Sequence, residues 1–166
     1  MNSVGETGNT PFDGSALSSS APFDSALFFT CSLVEYIGRE RKLARREVVS
    51  ALGKSHVRRI YSHADVLHCE PIAAVADAYV ELADIKTGDF DNVAAARYLV
   101  PDYWAIGEVF ARLIEDVRAP GDDVVRVVED VYGSWISDAI SNYNTDFYYQ
   151  TRDYIAECYR QGTVLE

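Results

Sequence analysis

Residues 43–68, LARREVVSALGKSHVRRIYSHADVLH, hold the densest set of side chains able to do chemistry in this chain. Ser55, His56, Arg58, Arg59 and Ser62 follow Gly53, and a helix capped at Ser55 would turn them outward as the second helix of a helix-turn-helix. Arginine suits guanine edges and phosphates because its planar fork donates two parallel hydrogen bonds, so the chemistry would be the reading of duplex DNA. The same residues also fit an ordinary helical hairpin with solvated arginines, in which they form no site. His63, His68 and Cys69 are imidazole and thiolate groups of the kind zinc takes, but no fourth ligand stands at a metal-binding spacing. No metal is expected there. The histidines read as groups bonded to a neighbouring helix, and Cys69 as a small buried hydrophobe.

Charge is distributed unevenly around this stretch. The formal net charge is -11, which argues against a general affinity for nucleic acid, since phosphate contacts need lysine and arginine. Yet residues 39–60 carry Arg39, Arg41, Lys42, Arg45, Arg46, Lys54, Arg58 and Arg59 against only Glu40 and Glu47. One positive shoulder on an acidic body implies either a polyanionic or acidic partner, or ion pairs with the acidic half of the same molecule.

A second candidate surface is the tyrosine-rich C-terminal segment. Tyr143, Tyr148 and Tyr149 combine apolar area with a polar tip and suit a protein partner. No phosphate-cradling glycine loop, nucleophile elbow or paired-carboxylate motif is present, so neither a catalytic residue nor a cofactor is expected.

The elements that must position these residues are helices. Residues 1–22 are rich in Gly, Ser, Thr and Asn with little to bury, and read as a disordered arm. From Asp24, an N-cap, Ala26, Phe29, Leu33 and Ile37 recur at helical spacing. Val48, Val49 and Leu52 form one face of a short helix that Gly53 closes; Val57, Ile60 and Ala64 continue the pattern; Pro71 opens a helix with Ile72, Val75, Tyr79 and Leu82. Residues 23–85 thus form an N-terminal module, and the turn KTGDFDN, in which Gly88 suits a positive φ, separates it from a second module at 92–162.

In that second module Asn92 caps a short helix to Leu99, and Asp102 caps another carrying Ile106, Phe110 and Leu113. Val124, Val128, Val131, Trp135 and Ala139 keep a helical period despite their β-branched content. Thr145 caps a last helix that ends at Gly162. The expected fold is an all-α bundle of about six to seven helices. Cys31, Cys69 and Cys158 are odd in number and set among apolar residues, which points to reduced core thiols, a cytoplasmic protein and no membrane span.

Two resemblances bear on function. Arg58 and His63, spaced as arginine, four residues, histidine, resemble the signature of the HEPN ribonucleases, which implies action on an RNA phosphodiester. Residues 26–83, with Glu47-Val48 and then Tyr61 and Asp65-Val66-Leu67-His68, resemble a family of small bacterial all-helical proteins of unknown function. Members of that family are often encoded beside ADP-ribosyltransferase-like proteins, which implies an antitoxin-like or regulatory partner role. The expectation is therefore a non-enzymatic module that binds a protein, such as the product of an adjacent gene. The alternatives are a DNA-binding regulator acting through residues 45–64 and a HEPN-like ribonuclease.

Overall fold

A run of ten residues without charge, Ser25 to Val34, sits in the first helix, and its side chains become the centre of the molecule. The structure is a computed structural model that describes residues 23–166; the arm expected over residues 1–22 lies outside the described residues. Helix α1 (Ser25–Arg41) begins where Asp24 Oδ1 accepts from the Leu27 N–H at 2.9 Å and ends at Lys42, whose left-handed φ of 54° returns its N–H to the Gly38 carbonyl. It is buried on almost every side, as a helix apolar all round requires. Helices α2 (Arg45–Ser62), α3 (Ala64–Leu67) and α4 (Ile72–Leu82) pack around it from the N-terminal half. Its most extensive partner is α5 (Tyr103–Val117), from the other half.

That contact depends on Gly107. A Cβ there would stand 2.7 Å from the Ser32 Cα, so only glycine lets the two backbones approach this closely. Further on, α6 (Val124–Tyr132) covers α2, α7 (Trp135–Ile140) follows, and α8 (Arg152–Gln161) closes over α5. The stacked pair Phe110 and Tyr132, with ring centres 4.3 Å apart, ties α5 to α6 in a core that draws on both halves of the chain. The fold is all-α, with eight α-helices and no strand among the described residues. The valines of α6 are helical because their period of 3.6 puts Val124, Val128 and Val131 inside together.

Local expectations hold where the interaction is local. Asp24 and Asp102 cap as expected, and Gly162 ends α8 at φ 76°. Gly53, at φ 72° and ψ 166°, breaks α2 into two halves, with Val48, Val49 and Leu52 buried before it and Val57 and Ile60 after.

Five details need correction. Residues 92–99 form turns and no helix, because the Asn92 side chain is taken by distant partners. Gly88 does not have a positive φ; it is needed because a Cβ there would lie 2.6 Å from the Lys42 carbonyl oxygen, where the loop straps the end of α1. Thr151, and not Thr145, caps α8, accepting from the Tyr154 N–H. Pro71 stands one position before the first helical residue of α4. Gly133 and Ser134 divide the stretch from Val124 to Ala139 into α6 and α7.

Candidate functional site

Glu35 is the one carboxylate in the interior of α1, enclosed between Val34 and Ile37. An isolated charge there would be very costly, so it must be paired and hydrogen-bonded. Arg45, itself 1 % exposed, reaches across from the start of α2 and donates Nε to Oε2 at 2.7 Å and Nη2 to Oε1 at 2.9 Å. Arg39, one turn along α1, adds a third donor at 3.1 Å, and the Tyr143 hydroxyl a fourth. Arg45 also donates Nη1 to the Leu43 carbonyl at 2.7 Å and Nη2 to Asn92 Oδ1 at 3.0 Å, and Asn92 Nδ2 donates to the Ser141 carbonyl at 2.8 Å. Gly38 makes room for this, since a Cβ at that position would meet the Arg45 guanidinium.

The electrostatics follow from that geometry. Burial by itself would raise the Glu35 carboxyl, but the hydrogen bonds and charge of Arg45, with Tyr143 and Arg39 behind them, hold it below the usual carboxylate range. Burial and the Glu35 charge together push the Tyr143 phenol up to about 12. The centre is therefore a fixed ion pair with a neutral phenol. It joins α1, α2 and the loops at 92 and 143, and leaves no free acid or base for catalysis.

The basic shoulder is largely neutralised from within. Arg46 pairs with Asp138 at 2.5 Å, Lys54 approaches Glu129 at 3.9 Å, and Arg58 grips Asp123 with both Nη atoms, at 3.1 and 2.6 Å. Ser55, Arg58, Arg59 and Ser62 face solvent, whereas His56 is half-buried, with Nδ1 2.9 Å from the Leu52 carbonyl oxygen and its ring edge-on to Tyr79.

His63 and His68 are exposed, and the Nδ1 of each meets the carbonyl four residues back in its own helix, not a neighbouring helix. Cys69 is exposed too, because the turn ahead of Pro71 is not covered by any other element, while Cys31 and Cys158 are buried as expected. Among the described residues no group of three or more His, Cys, Asp or Glu side chains is disposed to hold a metal ion, and no helix is long and apolar enough to cross a membrane.

Of the three tyrosines expected on a binding surface, Tyr149 is 84 % exposed, Tyr148 is half-buried and Tyr143 is inside the polar centre. The larger aromatic surface lies elsewhere. Phe23, Phe28, Trp104, Tyr103 and Tyr36 form a continuous series with successive ring centres 5.5, 5.4, 5.0 and 5.2 Å apart, along the junction of α1 and α5. Phe23 and Trp104 are open to solvent, at 58 and 37 %. Beside them Phe28, Phe29, Ala64, Asp65, His68 and Trp104 line a mainly apolar groove of about 320 Å³. Sequence reasoning used Phe29 only as core and passed over Phe28 and Trp104, because aromatic residues on opposite halves of the chain give no periodic signal together. Glu35 was legible in principle as the lone charge amid Leu33, Val34 and Ile37.

No protein-family model, no curated protein and no solved structure matches this chain.

Proposed function

We propose that this protein is a non-enzymatic interaction module that receives an amphipathic, basic-flanked helix of a partner protein in the groove between α1, α3 and α5. The observation that carries this reading is the aromatic series ending in the exposed Phe23 and Trp104 and the half-buried Phe28, beside an open apolar groove. Solvent-facing aromatic rings clustered at a concave site are the usual anchors of helix-in-groove recognition. The net charge of -11 favours a basic flank on the partner, because most of the chain's own cations already face its own carboxylates. A role as the antitoxin-like or regulatory member of a gene pair fits this chemistry.

Duplex DNA is the second reading. The pairing of Arg58 with Asp123, and of Lys54 with Glu129, disfavours it, since a phosphate would have to displace carboxylates that stay on the same face. Co-expression with the product of the neighbouring gene tests the proposal. The wild-type chain should co-purify as a stoichiometric complex, and Trp104→Ala should weaken it by roughly thirtyfold, the effect of losing one anchor. A complex equally stable with Phe28→Ala and Trp104→Ala would place the interface elsewhere and end the proposal. Retarded migration of duplex DNA at low salt would favour the second reading.

A further inference from the structure

The stretch Pro11-Phe12-Asp13-Gly14-Ser15-Ala16-Leu17 repeats Pro22-Phe23-Asp24-Ser25-Ala26-Leu27, with Gly14 as the one insertion. Small residues abound in this part of the chain, but Phe12 is the one aromatic residue among residues 1–22, so the match is not one of composition alone. The second copy builds the edge of the aromatic groove. Phe23 packs on Phe28 with ring centres 5.5 Å apart, Asp24 caps α1 and accepts from the Tyr61 hydroxyl at 2.7 Å, and Ser25 and Ala26 line the groove itself. The ring of Phe23 is nonetheless 58 % exposed, and that of Trp104 across the groove 37 %.

The first copy lies outside the described residues, and the chain that carries it enters the fold at this groove. Ten residues, 13–22, join Phe12 to Phe23. At about 3.3 Å per residue they reach roughly 36 Å, ample for Phe12 to return to the groove beside Phe23. So short a tether keeps the effective concentration of the segment high at the groove, and nowhere else on the molecule is it as high. The inserted Gly14 breaks the register that ties Asp24 to the Leu27 N–H, so the first copy matches the second in its apolar anchors, Phe12 and Leu17, more than in its cap. A stretch with this little apolar area gains order only against a surface, and the groove offers an aromatic one. Residues 1–22 contain Glu6 and Asp13 and neither lysine nor arginine. They lack the basic flank that the acidic body favours, so a basic partner can displace them.

We propose that residues 11–17 of the same chain occupy the groove when no partner does, with Phe12 seated against Phe23, Phe28 and Trp104. This occupancy presupposes that the groove is the partner-binding surface, and it makes the N-terminal segment the partner's competitor.

Nuclear magnetic resonance of the full chain tests it, with a nitroxide on Cys69, the exposed thiol next to the groove residue His68. Resonances of residues 11–17 should be broadened more than those of residues 1–6. Phe12→Ala should lower the docked-to-free ratio by roughly tenfold, the effect of losing one aromatic anchor, and Phe12→Tyr should retain it. In the chain without the label, Phe12→Ala should also move the Trp104 indole N–H and Ala64 amide resonances. Broadening that Phe12→Ala leaves unchanged, or a Trp104 resonance that does not move, overturns the assignment. So does broadening of an isotope-labelled chain by the nitroxide of a second chain, which would place the segment in another copy's groove. With the co-expressed partner, Phe12→Ala should tighten the complex severalfold, because the competitor is lost. A docked segment with a partner complex indifferent to Trp104→Ala would end the partner reading alone. A partner complex that needs Trp104 while residues 11–17 stay undocked would end this assignment alone.

Discussion

The guanidinium of Arg45 engages both carboxylate oxygens of Glu35, at 2.7 and 2.9 Å, with both side chains fully enclosed. Ten residues apart in sequence, they join the interior of α1 to the first residue of α2 across the Lys42 turn. Breaking a buried pair strands one charge in a medium that solvates it poorly, whereas the net worth of the intact pair is small. Arg45→Ala should therefore lower the unfolding free energy by about 3–5 kcal/mol. Combining it with Glu35→Gln should cost clearly less than the sum of the two single changes, because the stranded charge is gone. Urea titrations of the three variants check this. Additive losses would mean that the two groups do not act as a pair.

Acid should reach the same centre. Because the folded state holds the Glu35 carboxyl below its unfolded value, the unfolded chain binds more protons through the carboxylate range, and stability rises with pH there. The contribution is complete above the unfolded carboxyl range near pH 4 and is lost as pH falls through the lower folded value. The thermal midpoint of wild type should fall toward that of Glu35→Gln between about pH 5 and 3. Parallel curves for the two proteins would exclude Glu35 as the group responsible.

Two glycines should resist the usual benefit of alanine. Inside a helix alanine is better than glycine by about 1 kcal/mol when space allows. At Gly38 the added methyl would meet the buried Arg45 guanidinium, and at Gly107 the Ser32 backbone, neither of which can swing aside. Overpacking of this kind costs about 1–3 kcal/mol, so both Gly38→Ala and Gly107→Ala should destabilise, Gly107→Ala more because backbone yields least. Chemical denaturation measures it, and a gain in stability at either site would contradict the packing described.

Thiol reactivity should divide the three cysteines. Burial pushes the Cys31 thiol up to about 12, so almost none is thiolate at neutral pH, and Cys158 is likewise enclosed. Cys69 lies exposed in the turn before α4. A maleimide should modify one thiol quickly in the native protein and all three in denaturant. Fast modification of two or more under native conditions would show that the core opens readily.

The aromatic and aliphatic periodicity of the chain determined that it is all-α, and the caps at Asp24 and Asp102 and the stop at Gly162 were legible because each acts on a backbone group within one turn. The outward orientation of Ser55, Arg58, Arg59 and Ser62 followed from the same period. Residues whose partners lie far along the chain were not legible. Asn92 looks like a helix cap until Arg45 and Ser141 claim both ends of its amide, and Gly88 looks like a turn glycine until the Lys42 carbonyl comes within reach. The tertiary structure alone decided that the basic shoulder meets carboxylates of α6 and α7, that Tyr143 is a donor to a buried charge, and that Phe28 and Trp104 form one surface. Spacing encodes which face a side chain takes on its own helix, whereas the neighbour it finds there depends on how separate helices are brought together, and no local pattern carries that information.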